Sequence, residues 1–257
     1  MTRAQIQKVA DSLLTYPAVS VDLATRLAKQ YFGRYKNRRG SMVVDVVASA
    51  WRNYDRVEQH IIPAFEKSVR TPNLTSLAKA TPKIPGLRGG EAEAMQAAAA
   101  GLLRFATEKR PATLGDDEKI VKAWARYAEP FRFDTKREPY VGAVKKIGPA
   151  LFAYMRMRAG ADAIKADVWV ARVLEEHGAK FEKATDVVEV TRYAEAVAEA
   201  MGVSRLVLDQ MLWRGEWKIT DVALAALGDT AAWREHAPRG TTPADIYGRT
   251  GAMGHLY

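Results

Sequence analysis

The sequence predicts an all-α protein, and three observations carry that prediction. Apolar residues recur at three- and four-residue spacing through most of the chain. Several segments are rich in Ala, Glu, Leu and Lys, residues that lose little freedom on entering a helix. No series of segments alternates apolar and polar residues as paired strands do. With 257 residues, the chain is long enough for one large domain or two closely packed lobes. Hydrophobic residues make up 48% and charged residues 27%, the balance of a folded chain rather than a disordered one.

In "SVDLATRLAKQYF", Leu23, Leu27 and Tyr31 recur every four residues behind Ser20, a suitable cap. "SMVVDVVASAWRNYDRVEQHIIPAF" has a strand-like start, but its helical continuation assigns the whole segment to helix. "EAEAMQAAAAGLLRFATEKR" is made of helix formers. "DDEKIVKAWARYAEPF" puts Ile120, Val121, Trp124 and Tyr127 on one face and acids in its first turn, where the helix dipole favours them. "VVEVTRYAEAVAEAMG" stops at Gly202, and "SRLVLDQMLWRGEW" and "TDVALAALGD" read as two shorter helices. Residues 70–90 carry three prolines, a Gly pair and four basic residues, which predicts a linker between lobes or a loop over a binding surface. The last residues, 238–257, form another irregular basic stretch.

Lys and Arg number 39 against 30 acids, a net charge of +9, which suits a polyanionic partner. There is no cysteine, which excludes disulfides, thiolate metal sites, cysteine nucleophiles and iron–sulfur clusters. His60, His177, His236 and His255 are scattered without paired ligand spacing, so neither metal nor cofactor is expected. Charges interrupt the first residues and no segment has transmembrane length, so a cytoplasmic protein is expected, with no membrane partner.

The most informative stretch is "KKIGPALFAYMRMRAGADAIKADVWVARVL", Lys145 to Leu174. Gly148 permits a tight turn, and Pro149 suits the first position of a helix because its missing N–H would be unpaired there anyway. Such a helix start offers free N–H groups and a positive dipole end to a phosphate, and Lys145 and Lys146 add two cations. A connection then leads to Asp167, at the entrance of a second helix that stops at Gly178. An Asp there caps the helix or faces a cleft, and the two roles are compatible.

This order resembles the helix-hairpin-helix DNA glycosylases, the endonuclease III-like superfamily. "VKKIGPALFAYM" stands where the family has its hairpin, and Asp167 follows Gly148 by nineteen residues, close to the family's spacing, in "IKADVWVARVL". The likeness covers residues 139 to 178. It implies a two-lobed helical domain that acts as a monomer on duplex DNA containing a damaged or mismatched base. Lys145, Lys146, Ile147, Gly148, Lys165 and Arg172 are then the DNA contacts, with Tyr140 and Trp169 at the base pocket. Asp167 is the catalytic carboxylate, stabilising positive charge on the sugar of a flipped nucleotide or aligning water. The chain departs from the pattern at Lys146, which replaces a hairpin glycine, and at Trp169, which replaces a histidine. Ala150 stands where bifunctional relatives carry a nucleophilic lysine, so the resemblance implies a monofunctional enzyme that leaves an abasic site. Two other readings stay open: a DNA-binding protein that keeps the hairpin without catalysis, and a basic helical scaffold.

Overall fold

The computed structural model describes residues 2–15, 21–50, 52, 54–79, 84–111 and 113–216, with the side chains of 214–216 left aside. Among these residues every regular element is helical. The chain runs through α1 (Arg3–Leu14), α2 (Val21–Tyr31), α3 (Arg39–Ala48), α4 (Tyr54–Arg56), α5 (Ile62–Ser68), α6 (Leu74–Lys79), α7 (Glu91–Lys109), α8 (Asp117–Tyr127), α9 (Pro149–Arg158), α10 (Val168–Glu176), α11 (Val187–Met201) and α12 (Arg205–Glu216). The helix expected over 220–229, the Ser20 cap and the basic stretch 238–257 lie outside the described residues.

Helix α3 is the centre of the larger core. Its sequence is apolar on nearly every side, and all of its residues are buried, Arg39, Ser41 and Asp45 included. Helices α5 to α9 contribute Phe65, Leu77, Met95, Trp124, Phe152 and Met155 to the same core. A second core joins α1 to α10, α11 and α12 through Leu13, Leu174, Val197 and Leu208. A smaller cluster packs α2 on α12. Gly101 is required where α7 meets the turn before α9, because a Cβ there would lie 1.9 Å from the Tyr140 carbonyl oxygen.

Two segments differ from expectation. The helix predicted through residues 41–65 is interrupted, and Val57–Ile61 forms a wide π turn in which the Ile62 N–H donates to the Val57 carbonyl. Pro63 follows directly; it has no N–H, so the ordinary ladder could not have continued there. The described part of residues 70–90 is not an open linker. It contains α6, whose Leu74 and Leu77 are fully buried against α7, and Leu74 N–H donates to Asp117 Oδ2 at 2.8 Å. Among the described residues of this segment, Pro85 to Gly90 form a surface loop.

Candidate functional site

Between α8 and α9 the chain makes short 3-10 turns (Glu129–Phe131 and Thr135–Arg137) and then a compact series of turns. Two side chains hold that series. The buried Glu138 carboxylate accepts from Trp124 Nε1 and Tyr140 N, both at 3.2 Å, from Val141 N at 2.7 Å and from Gly142 N at 2.6 Å. Lys136 Nζ donates to three carbonyls, those of Gly142 (3.0 Å), Val144 (3.2 Å) and Ile147 (2.9 Å). One anion thus gathers N–H groups, one cation gathers carbonyls, and the backbone between them is fixed.

Lys146 takes φ +74, the left-handed region that costs an L-residue about 1 kcal/mol. Gly148 is extended and opens α9, with Pro149 at its first position as the sequence predicts. Lys145 and Lys146 are exposed. The Lys146 chain lies over Gly90, where a Cβ would come within 2.7 Å of Lys146 Cε, so the Gly89–Gly90 turn and the lysine turn share one face.

Two expected residues do not reach the surface. Ile147 is fully buried; its N–H donates to Val144 O and its carbonyl accepts from Lys136, so it supports the turn and is not a DNA contact. Tyr140 is also buried. Its ring packs between Phe105 and Tyr127, and its hydroxyl donates to Glu108 Oε2 at 2.7 Å. Burial and the Glu108 carboxylate push that phenol up to about 12. Tyr140 belongs to the α7–α8 side of the core, not to a pocket beside Asp167.

Asp167 caps α10. Its Oδ1 accepts from Trp169 N at 3.1 Å and Val170 N at 3.3 Å, and its Oδ2 is 3.1 Å from Lys165 Nζ. Both side chains of the pair remain 19% exposed. Trp169 is half-buried with the Arg172 guanidinium 5.8 Å from its ring, and Val168 beside it is exposed. Arg172 itself is at the surface and pairs with Glu176 one turn on.

Behind Lys165 lies a polar and aromatic cluster that the sequence did not announce. Lys165 Nζ is 5.1 Å from the centre of the Tyr154 ring. The Tyr154 hydroxyl donates to Asp45 Oδ2 at 2.9 Å and accepts from Arg158 Nη2 at 2.8 Å. Arg158 also pairs with Asp45 at 3.1 Å, donates to the Tyr54 hydroxyl at 2.9 Å and stacks 3.9 Å from the Tyr31 ring centre. Burial alone would lower the Arg158 pKa, but Tyr154, Tyr31, Tyr54 and Asp45 together hold it above its ordinary value. Burial raises the Tyr31 and Tyr154 phenols. Tyr54 is half-buried and meets Trp213 of α12 edge to face at 5.6 Å. Asp45 Oδ1 and the Tyr35 hydroxyl, both buried, have no hydrogen-bond partner, which is costly unless water or another molecule supplies one.

From the other side, Asp209 of α12 accepts the Lys165 N–H through Oδ1 at 2.9 Å. It is buried, and burial pushes its carboxyl up to about 7, with the Asp167 charge adding to the rise and the Lys165 N–H opposing it. The sequence signal for Asp45 and Asp209 is a lone acid inside an apolar helical pattern, "MVVDVV" and "LVLDQM". Trp124 is fully buried. Among the described residues no group of three His, Asp or Glu side chains is placed to hold a metal ion, and no helix is long and apolar enough to cross a membrane.

No family model, curated protein or solved structure matches the chain significantly.

Proposed function

We propose that the protein is a monofunctional DNA N-glycosylase of base-excision repair, built on a helix-hairpin-helix. The observation that carries the reading is the placement of Asp167: an acid with a part-exposed side chain at a helix start, paired with a lysine and followed by the half-buried Trp169. Lys145, Lys146 and the start of α9 would hold a phosphate without reading sequence. Helix α9, about 15 Å long by its rise per residue, would set the distance from that phosphate to the acid. Tyr154 is buried, so stacking on a flipped nucleotide would fall to Trp169, the half-buried ring two residues after the acid. As carboxylate, Asp167 would stabilise the positive charge on the sugar as the base leaves, or orient the attacking water.

Lys165 gives this reading a switch. In the free protein its ammonium neutralises much of the Asp167 charge at 3.1 Å. A bound DNA phosphate competes for the same ammonium, so DNA binding would itself unmask the acid. The engagement of both Asp167 oxygens, one by backbone N–H groups and one by Lys165, favours a second reading: a DNA-binding protein whose Asp is only a cap.

The deciding experiment is a panel of duplexes, each with one lesion, incubated with wild type and Asp167→Asn, with abasic sites revealed by alkali. Release of one base by wild type and none by the variant supports the glycosylase. Duplex binding without release from any member of the panel supports the second reading. Absence of salt-dependent duplex binding overturns both and leaves a helical scaffold.

A further inference from the structure

The connection from α9 to α10, residues 159–167, is fastened to α12 at two points. Asp162 Oδ1 accepts the Leu206 N–H at 2.9 Å, capping the start of α12. Three residues further along each segment, Asp209 Oδ1 accepts the Lys165 N–H at 2.9 Å. The bonds are reciprocal, side chain of loop to backbone of helix and side chain of helix to backbone of loop. They fix the register of the loop against α12. The Asp167 N–H donates to the Lys165 carbonyl at 2.8 Å, a tight three-residue turn that ties the two residues together, so fixing Lys165 also fixes Asp167, and their charged ends meet at 3.1 Å. Leu208 and Leu212 on α12 are buried in the second core, so the helix is a firm support for Asp209.

We propose that Asp209 is the positioning residue of the Asp167 site, holding Lys165 in place through its backbone and governing through its own carboxyl how fully Lys165 is committed to Asp167. The charged and titratable groups bearing on Asp209 are Lys165 and Asp167 from the loop and Tyr31 from α2, with the Gln210 amide donating from its own helix at 3.1 Å. While Asp209 is protonated, the Lys165 ammonium answers to Asp167 alone. Once Asp209 ionises, two carboxylates draw on one ammonium, and Asp167 carries more of its own charge. The geometry supplies the coupling, and the raised carboxyl pKa of Asp209, about 7, puts it near neutral pH.

The consequence for catalysis rests on the glycosylase reading; the coupling itself does not. The DNA-free protein is therefore tested first, by following the side-chain carboxyl carbons of Asp167 and Asp209 by NMR across pH 5 to 9. The expected result is an inflection at Asp167 that coincides with the titration of Asp209 and vanishes in Asp209→Asn. A titration of Asp209 that leaves Asp167 unmoved overturns the proposal. If Asp209→Asn does not fold, the wild-type titration alone decides. The second measurement is single-turnover base release against pH. Wild type should gain on the order of tenfold as pH rises through neutrality, the factor that corresponds to one pKa unit of interaction. Asp209→Asn should stay at the low-pH level, since Asn keeps the acceptor for Lys165 N–H but never ionises. An unchanged profile with only a lowered melting temperature would make Asp209 structural and overturn the proposal. Absence of any base release by wild type would remove the glycosylase reading and leave the NMR result standing as the test of the coupling.

Discussion

The Glu138→Gln substitution isolates what holds the basic turn. The native carboxylate is fully buried and takes four N–H donors, two on each oxygen. A glutamine has one acceptor oxygen. If its amide nitrogen takes the Oε2 position, Val141 N–H and Gly142 N–H face another donor; if it takes Oε1, Trp124 Nε1–H and Tyr140 N–H do. Either rotamer strands two buried donors at about 1–3 kcal/mol each, so the loss is about 2–6 kcal/mol. Charge assistance in the native bonds places the loss in the upper part of that range. That is a large fraction of the roughly 5–15 kcal/mol that holds a domain together. The assay is urea unfolding of both proteins at pH 7, with the slope checked for constancy so that the midpoint reports stability. Duplex affinity should fall as well, because Lys145 and Lys146 are presented by the backbone that Glu138 organises. A stability loss below about 1 kcal/mol would refute the reasoning, since it would mean that the N–H groups find other acceptors and that the carboxylate does not organise the turn.

Asp167→Asn should reduce base release by about a hundredfold or more while leaving stability and DNA affinity unchanged or better, because Asn caps a helix about as well as Asp; gel assays with alkali cleavage and thermal melting check both. Lys145→Ala with Lys146→Ala should weaken binding to every duplex alike and lower the salt slope by up to about two units, measured by fluorescence anisotropy across salt concentrations. The reaction product should be an intact abasic site with no borohydride-trapped adduct. An adduct lost in Lys165→Ala would instead make Lys165, beside Asp167 in the structure, an amine nucleophile. Asp209, with its carboxyl raised from 3.8 to about 7, keeps in the folded state a proton that the unfolded chain releases, so stability should fall from pH 4 to pH 7 and then level. That gap corresponds to about 4 kcal/mol, so Asp209→Asn should melt above wild type at pH 8 and lose the advantage at pH 4, as calorimetry would register.

The helices were legible because their signals are local. Acids in the first turn of α8, Gly202 after α11 and Pro149 at the start of α9 each act within one turn of where they stand. The cap at Asp167 was legible for the same reason. Tyr140 and Ile147 were misplaced because adjacency to the turn says nothing of which way a side chain leaves it. Tyr140 is buried by Phe105, thirty-five positions earlier, and no periodicity within 139–148 contains that fact. The polar cluster sits between these cases. A lone acid within an apolar helix cannot be buried unpaired, because an isolated charge in the interior costs several kcal/mol or more. Asp45 in "MVVDVV" therefore demanded a buried partner somewhere in the chain, and Arg158, at the end of a helix that is buried along most of its length, was a fit candidate. Asp209 posed the same demand in "LVLDQM" but met it differently, with a backbone N–H and a carboxyl whose pKa burial raises. Every residue but proline has an N–H, so composition could name the need but not the place. That is why the residue on which the Asp167 site leans was the least visible in the sequence.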